Sequence, residues 1–157
     1  MGAKSVKLKC SMISENMYIL DTDHLGILQR QRGMDYDRVR RKIAQIGESD
    51  IYVTIISFHE QVSGWAKYVK NSTDPPRIVS GYLRLEWILR DFASAQVLPF
   101  STAASEVFEK VKRQRIRIAT MDLRIASIAI VQHMTLVTCN VIDFERIPNL
   151  LLEDWTT

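Results

Sequence analysis

Short apolar runs alternate along this chain with longer stretches patterned at helical spacing, and that alternation restricts the fold more than any other feature. Tyr18, Ile19 and Leu20 form a continuous apolar run that ends at Asp21 and leads into a loop, and residues 51–56 (IYVTII) are rich in β-branched side chains. Both read as buried strands. Residues 96–98, stopped by Pro99, and residues 135–138 and 150–153 read as shorter strands. Between these runs, residues 35–46 set Tyr36, Val39, Ile43 and Ile46 at helical spacing before a stop at Gly47. Ser57 opens a helix carrying Val62, Trp65, Ala66 and Val69, and turn residues 71–76 (NSTDPP) follow. A long helix then places Ile78, Tyr82, Leu85, Ile88, Leu89 and Phe92 on one face, and residues 103–118 and 120–132 read as two more helices. Strands alternating with helices predict an α/β fold, a central parallel sheet with helices on both faces.

The chain has 157 residues, 46% of them hydrophobic, which suffices for a single domain with its own core. No apolar run approaches the ~18 residues that a membrane span needs. Cys10 and Cys139 stand far apart without metal-ligand spacing, which argues against a disulfide framework or a zinc site and fits a reducing cytoplasm. Residues 1–16 lack periodicity and an apolar stretch, so they read as a loose extension and not a secretory signal, with the domain spanning 17–157 and Met17 a second candidate start. Net charge is +3, unevenly spread. Lys110, Lys112, Arg113, Arg115 and Arg117 follow one another with no acid among them, and Arg38, Arg40, Arg41 and Lys42 form a second group. Either group is a solvated helix face or an electrostatic footprint for a polyanion such as RNA or DNA, and charge alone leaves that open.

In parallel sheets, ligands sit outside the carboxyl ends of the strands. Asp21 ends the first strand, Glu60 lies in the first turn after the second, and Asp143 follows the strand ending at Thr138. Asp122 opens the helix beginning near Thr120 and can reach the same edge. Four carboxylates so gathered repel one another, and a divalent cation removes the conflict. Mg²⁺ or Mn²⁺ prefers oxygen ligands, retains water, and can activate that water against a phosphoryl group. Each acid also has a purely structural explanation. Ser57 and Glu60 have capping-box spacing, Thr120 suits an N-cap with Asp122 in the first turn, and Asn140 precedes Asp143 by a similar interval. His24 and His133 read as surface or core-edge residues, and Trp65, Trp87 and Trp155 as packing residues.

Four segments together resemble a known family: YILDTDHLGIL around Asp21, IISFHEQVSGW around Glu60, RIRIATMDLRIASIAI around Asp122 and TLVTCNVIDFERIPNL around Asp143. They look like the PIN domain, and within it the VapC-type toxins of toxin–antitoxin modules. The resemblance runs from about Met17 to the closing LLEDW. It implies a PIN-like three-layer α/β/α fold and a Mg²⁺- or Mn²⁺-dependent endoribonuclease held inactive by a VapB-like antitoxin. By position, Asp21, Glu60 and Asp122 look like the core metal-binding acids and Asp143 like a fourth, and Thr22, Ser57, Thr138 and Asn140 resemble the polar residues lining the site. Family members commonly form homodimers with basic surfaces beside each site, which would give Lys110–Arg117 an RNA-binding purpose. Two other readings bear on the same residues. Asp21-Thr22-Asp23 also resembles the D-x-D of haloacid-dehalogenase-like phosphatases, but Leu25 stands where that motif wants Thr or Val. A catalytically silent PIN-fold RNA-binding or interaction module is the other, and such proteins often lose acids that this chain keeps.

Overall fold

The computed structural model describes residues 16–157, so the expected N-terminal extension, except Asn16, lies outside the described residues. Five strands and seven α-helices alternate. They are β1 (Tyr18–Leu20), α1 (Thr22–Arg30), α2 (Met34–Ile46), β2 (Ile51–Thr54), α3 (Ile55–Asn71), α4 (Pro75–Ser94), β3 (Val97–Leu98), α5 (Thr102–Lys112), α6 (Thr120–Gln132), β4 (Thr135–Val137), α7 (Val141–Phe144) and β5 (Leu151–Glu153). All strand pairs are parallel, in the order β3-β2-β1-β4-β5. The sheet is therefore the one the alternation predicts.

Pleating sorts the side chains of β1 between two cores. Ile19, with Leu136 of β4, packs among α5 and α6 residues such as Phe108, Leu123 and Ile128. Tyr18 and Leu20, with Val137, face the opposite side and meet Ile27, Val39, Ile43 and Trp155. Successive residues of a strand point to opposite faces, so a strand covered on both sides must be apolar throughout, as Tyr-Ile-Leu is. Helix α6 runs through the core with Leu123 and Ile125–Ala129 buried, which explains why it lacks a polar stripe.

Several local expectations give way to the tertiary structure. No loop follows Asp21: its side chain caps α1 by accepting from Thr22 N at 2.7 Å. Strand β2 stops at Thr54, because Thr54 is itself the cap of α3 and accepts from Ser57 N at 3.1 Å. Ser57 thus sits inside the first turn and does not open the helix. Helix α5 ends at Lys112, and the chain turns through Arg115 in the left-handed region (φ 55°), so the basic stretch is only partly helical. On α4, Ile88 and Phe92 are buried as expected, but Tyr82 and Leu89 are about 60% exposed. Thr120 is the first residue of α6 and Ala119 is its cap, without a side-chain bond. His133 ends α6 in the left-handed conformation and is exposed, whereas His24 is completely buried.

Candidate active site

The strand order has a physical consequence for the site. From β1 the chain moves outward to β2 and β3, then returns to the other side of β1 as β4. The connections after β1 and after β4 therefore diverge, which opens a crevice at the carboxyl ends of these two strands. Asp21 follows β1 there, and its N–H donates to Val137 O of β4 at 2.9 Å. Thr138 follows β4 and donates from its hydroxyl to Asp21 Oδ2 at 2.9 Å.

Asp21 is 5% exposed. Burial, with the neighbouring charges of Asp23 and Asp122, lifts its carboxyl to about 7, although Thr22 N–H and the Thr138 hydroxyl pull the other way. Asp122, on the first turn of α6, is raised to about 6 by burial and by the charges of Glu60, Asp143 and Asp23. The charge of Asp122 thus acts on Asp21, and those of Glu60 and Asp143 act on Asp122, although among the described residues no three of these four acids bring ligand atoms within 4.8 Å of one another. Glu60 lies in the second turn of α3 and accepts from the Thr22 hydroxyl at 2.8 Å. The Ser57–Glu60 capping box does not form, since Thr54 caps the helix and the Glu60 carboxylate faces Thr22 instead. Asp143 accepts from Asn140 Nδ2 at 3.1 Å, and Asn140 N–H in turn donates to Thr138 Oγ1 at 3.0 Å.

Thr22, Thr138 and Asn140 thus each touch one of the acids. Ser57 does not: it is fully buried against Thr54, Oγ to Oγ1 at 3.2 Å, and braces the start of α3. Among the described residues, no Lys, Arg or His side-chain nitrogen lies within 4.0 Å of the carboxylate oxygens of Asp21, Glu60 or Asp122, and Asp143 has Arg146 at 3.9 Å. An oxygen-only donor set with unbalanced negative charge suits a hard divalent cation such as Mg²⁺ or Mn²⁺. Of the predicted basic residues, Arg117 lines a cleft together with Asp143; Lys110 and Lys112 are exposed on the last turn of α5, and Arg113 and Arg115 are exposed just after it.

Sequence reasoning passed over the support behind Asp21. The Asp23 carboxylate meets His24 Nδ1 at 2.7 Å and Cys139 N–H at 2.8 Å, and shares the Thr138 hydroxyl with Asp21 at 3.2 Å. Burial works to raise the Asp23 carboxyl, but the bonds from His24 and Cys139 outweigh it and hold the group below its ordinary value. On the far side of the ring, Trp155 N–H donates to His24 Nε2 at 3.4 Å, which assigns the hydrogen to Nδ1, and Nδ1–H donates a hydrogen bond to Asp23. Asp23, His24 and Cys139 are, among the described residues, the three potential ligands whose atoms all come within 4.8 Å. Each already has a hydrogen-bond partner, and the Cys139 thiol is pushed up to about 11 by burial and by the charges of Asp23 and Asp154. The only sequence signal for this network is that His24 lies three residues after Asp21, on the core side of α1.

No protein-family profile matches the chain. It is, however, 34% identical to the ribonuclease VapC2 of Rickettsia felis over 139 residues, covering 88% of this chain and 98% of that protein. The chain belongs to the VapC family. Two solved VapBC assemblies share its fold. The VapBC2 complex of Rickettsia felis, bound to a DNA fragment from its promoter, superposes with a TM-score of 0.66 at 26% identity, over 88% of this chain and 98% of that one. VapBC-1 of nontypeable Haemophilus influenzae gives 0.70 at 24% identity, over 90% and 99%. The parallel five-stranded sheet and its flanking helices are thus the PIN fold of VapC proteins.

Proposed function

We infer that the chain is the toxin endoribonuclease of a toxin–antitoxin pair and hydrolyses RNA phosphodiester bonds with the aid of Mg²⁺ or Mn²⁺. The observation that carries this reading is the buried Asp21 carboxylate at the β1–β4 crevice, fixed by Thr22 N–H and the Thr138 hydroxyl and close enough to Asp122 to feel its charge, with no basic side chain among the described residues within 4.0 Å to neutralise it. Asp21, Glu60, Asp122 and Asp143 would hold the cation. When bound, such a cation lowers the pKa of a water and polarises a phosphoryl oxygen.

The protein's own groups then have separable tasks. Thr138 fixes one oxygen of Asp21, and Thr22 N–H fixes the other. The Thr22 hydroxyl turns Glu60 toward Asp21's end of the sheet, and Asn140 orients Asp143. Arg113, Arg115 and Arg117, with Lys110 and Lys112, attract the RNA backbone toward Asp143 through charge that does not depend on sequence. The protein acts in the cytoplasm as a homodimer and is held silent by a VapB-like antitoxin. The exposed Val79, Tyr82 and Leu89 on α4 supply apolar surface for protein contacts, and the Rickettsia felis relative is found in a VapBC assembly. The domain begins at about residue 17.

Asp21→Asn tests the reading. It keeps the shape of the side chain and should abolish RNA cleavage and growth arrest while circular dichroism stays native. A folded variant that cuts RNA at the wild-type rate would overturn it.

A further inference from the structure

A polyanion approaching this site meets a difficulty. Four carboxylates repel the phosphate that has to lie beside them, and among the described residues none of the side chains of Lys110, Lys112, Arg113, Arg115 and Arg117 comes within 4.0 Å of any of them. Arg146 stands where the difficulty is greatest. Its guanidinium lies 3.9 Å from Asp143 Oδ1 and donates to the backbone carbonyl of Arg117 at 3.3 Å. Arg117, Ile118, Ala119, Asp143 and Arg146 together line one cleft. Arg146 is, among the described residues, the one basic side chain within 4.0 Å of any of the four acids.

We propose that Arg146, paired with Arg117, binds a backbone phosphate of the RNA immediately beside the reacting one. This deepens the nuclease reading and rests on it. The ion pair with Asp143 is long, and both side chains are a little under half exposed. Water screens such a pair, so it holds the guanidinium only weakly. The Arg117 carbonyl occupies one N–H, and the remaining donors of the planar fork are free to match two phosphate oxygens. On leaving Asp143 for RNA, Arg146 exchanges one weak anionic partner for another and frees a carboxylate oxygen at the same moment. Asn140 keeps Asp143 in place during that exchange. The sequence concealed the residue because Arg146 follows Asp143 by three positions, in the turn just past α7, the spacing of an ordinary surface ion pair.

The test uses the full chain and a fluorescein-labelled single-stranded oligoribonucleotide of mixed sequence, bound in EDTA so that nothing is cut. Each lost phosphate contact should reduce the slope of log affinity against log salt by roughly 0.7. Arg146→Gln should show that reduction, and Arg146→Lys should restore most of the slope. In parallel, RNA should shield Arg146 of the unaltered protein from phenylglyoxal, read by mass spectrometry, which decides the matter even if Arg146→Gln fails to fold. A protein that cleaves RNA with Mn²⁺ while the Gln variant keeps the full slope, or while RNA leaves Arg146 open to phenylglyoxal, would overturn the phosphate site and leave the nuclease standing. A protein that neither binds nor cleaves the RNA would overturn both.

Discussion

Replacing Asp21 by Asn removes the charge that the fold is least suited to hold, so the variant should be more stable than the parent when metal is absent. The carboxyl is held near 7 by burial and by Asp23 and Asp122, against an ordinary value of 3.8. Ionising it inside the folded protein therefore costs on the order of 4 kcal/mol more than ionising it in the unfolded chain. Between pH 4 and pH 7 the folded state keeps a proton that the unfolded state has released. The folded state binds more protons throughout that window, so this group's contribution makes stability fall as pH rises and levels off above about 7. Asn resembles the neutral acid: its Oδ1 can accept from Thr22 N–H, while its Nδ2 donates to Thr138 Oγ1, whose own hydroxyl proton can still go to Asp23. In EDTA the two proteins should melt together near about pH 3, below the ordinary carboxylate value, and the variant should melt higher at pH 8. At about 2–4 °C per kcal/mol for a domain of this size, the gap is roughly 8–16 °C. The order should reverse with Mn²⁺, which stabilises only the protein that binds it. Scanning calorimetry at several pH values, with and without Mn²⁺, is the assay. A variant less stable than the parent at pH 8 in EDTA would refute the reasoning, because it would mean that Asp21 is held by favourable contacts and not confined against its own charge.

Three further outcomes are expected. Glu60→Gln keeps an acceptor for the Thr22 hydroxyl but loses charge, so cleavage should collapse at low Mn²⁺ and partly recover as the metal is raised, with the metal-free melting temperature unchanged or slightly higher; full activity at low metal would remove Glu60 from the site. Changing Arg113, Arg115 and Arg117 together to Gln should flatten the salt dependence of RNA binding by up to about 2, three contacts at roughly 0.7 each, and an unchanged slope would make this stretch a solvated surface. At Gly81, where α4 crosses α3, a Cβ would run into Val69 Cγ2 and sit 3.2 Å from the Tyr68 ring. Overpacking of about 1–3 kcal/mol outweighs the gain of about 1 kcal/mol in helix propensity, so Gly81→Ala should lower the melting temperature by a few degrees.

What could be read from the sequence here was whatever depends on local periodicity. The apolar Tyr18–Leu20 run announces a strand covered on both faces because every side chain of it must be buried, and the strand–helix alternation leaves a parallel sheet as the arrangement that buries them all. Asp21 at the end of β1 and Asp122 at the start of α6 were legible for the same reason, whereas Glu60 lies in the second turn of α3. Boundaries decided by capping were not: Asp-Thr-Asp and Thr-Ile-Ile-Ser read equally well as turn or strand, until Asp21 and Thr54 are seen to cap α1 and α3. The electrostatics of the site belongs wholly to the tertiary structure. Thr138 is 117 residues from Asp21, and Trp155 is 131 from His24. Only the adjacency of β1 and β4, with the β5 end folded back over His24, turns these separate polar residues into a network. A carboxylate's pKa depends on what surrounds it in space, and one-dimensional spacing does not carry that information. Arg146 shows the same division, an unremarkable ion-pair spacing on paper and, once the chain closes, a guanidinium lining one cleft with Asp143 and Arg117.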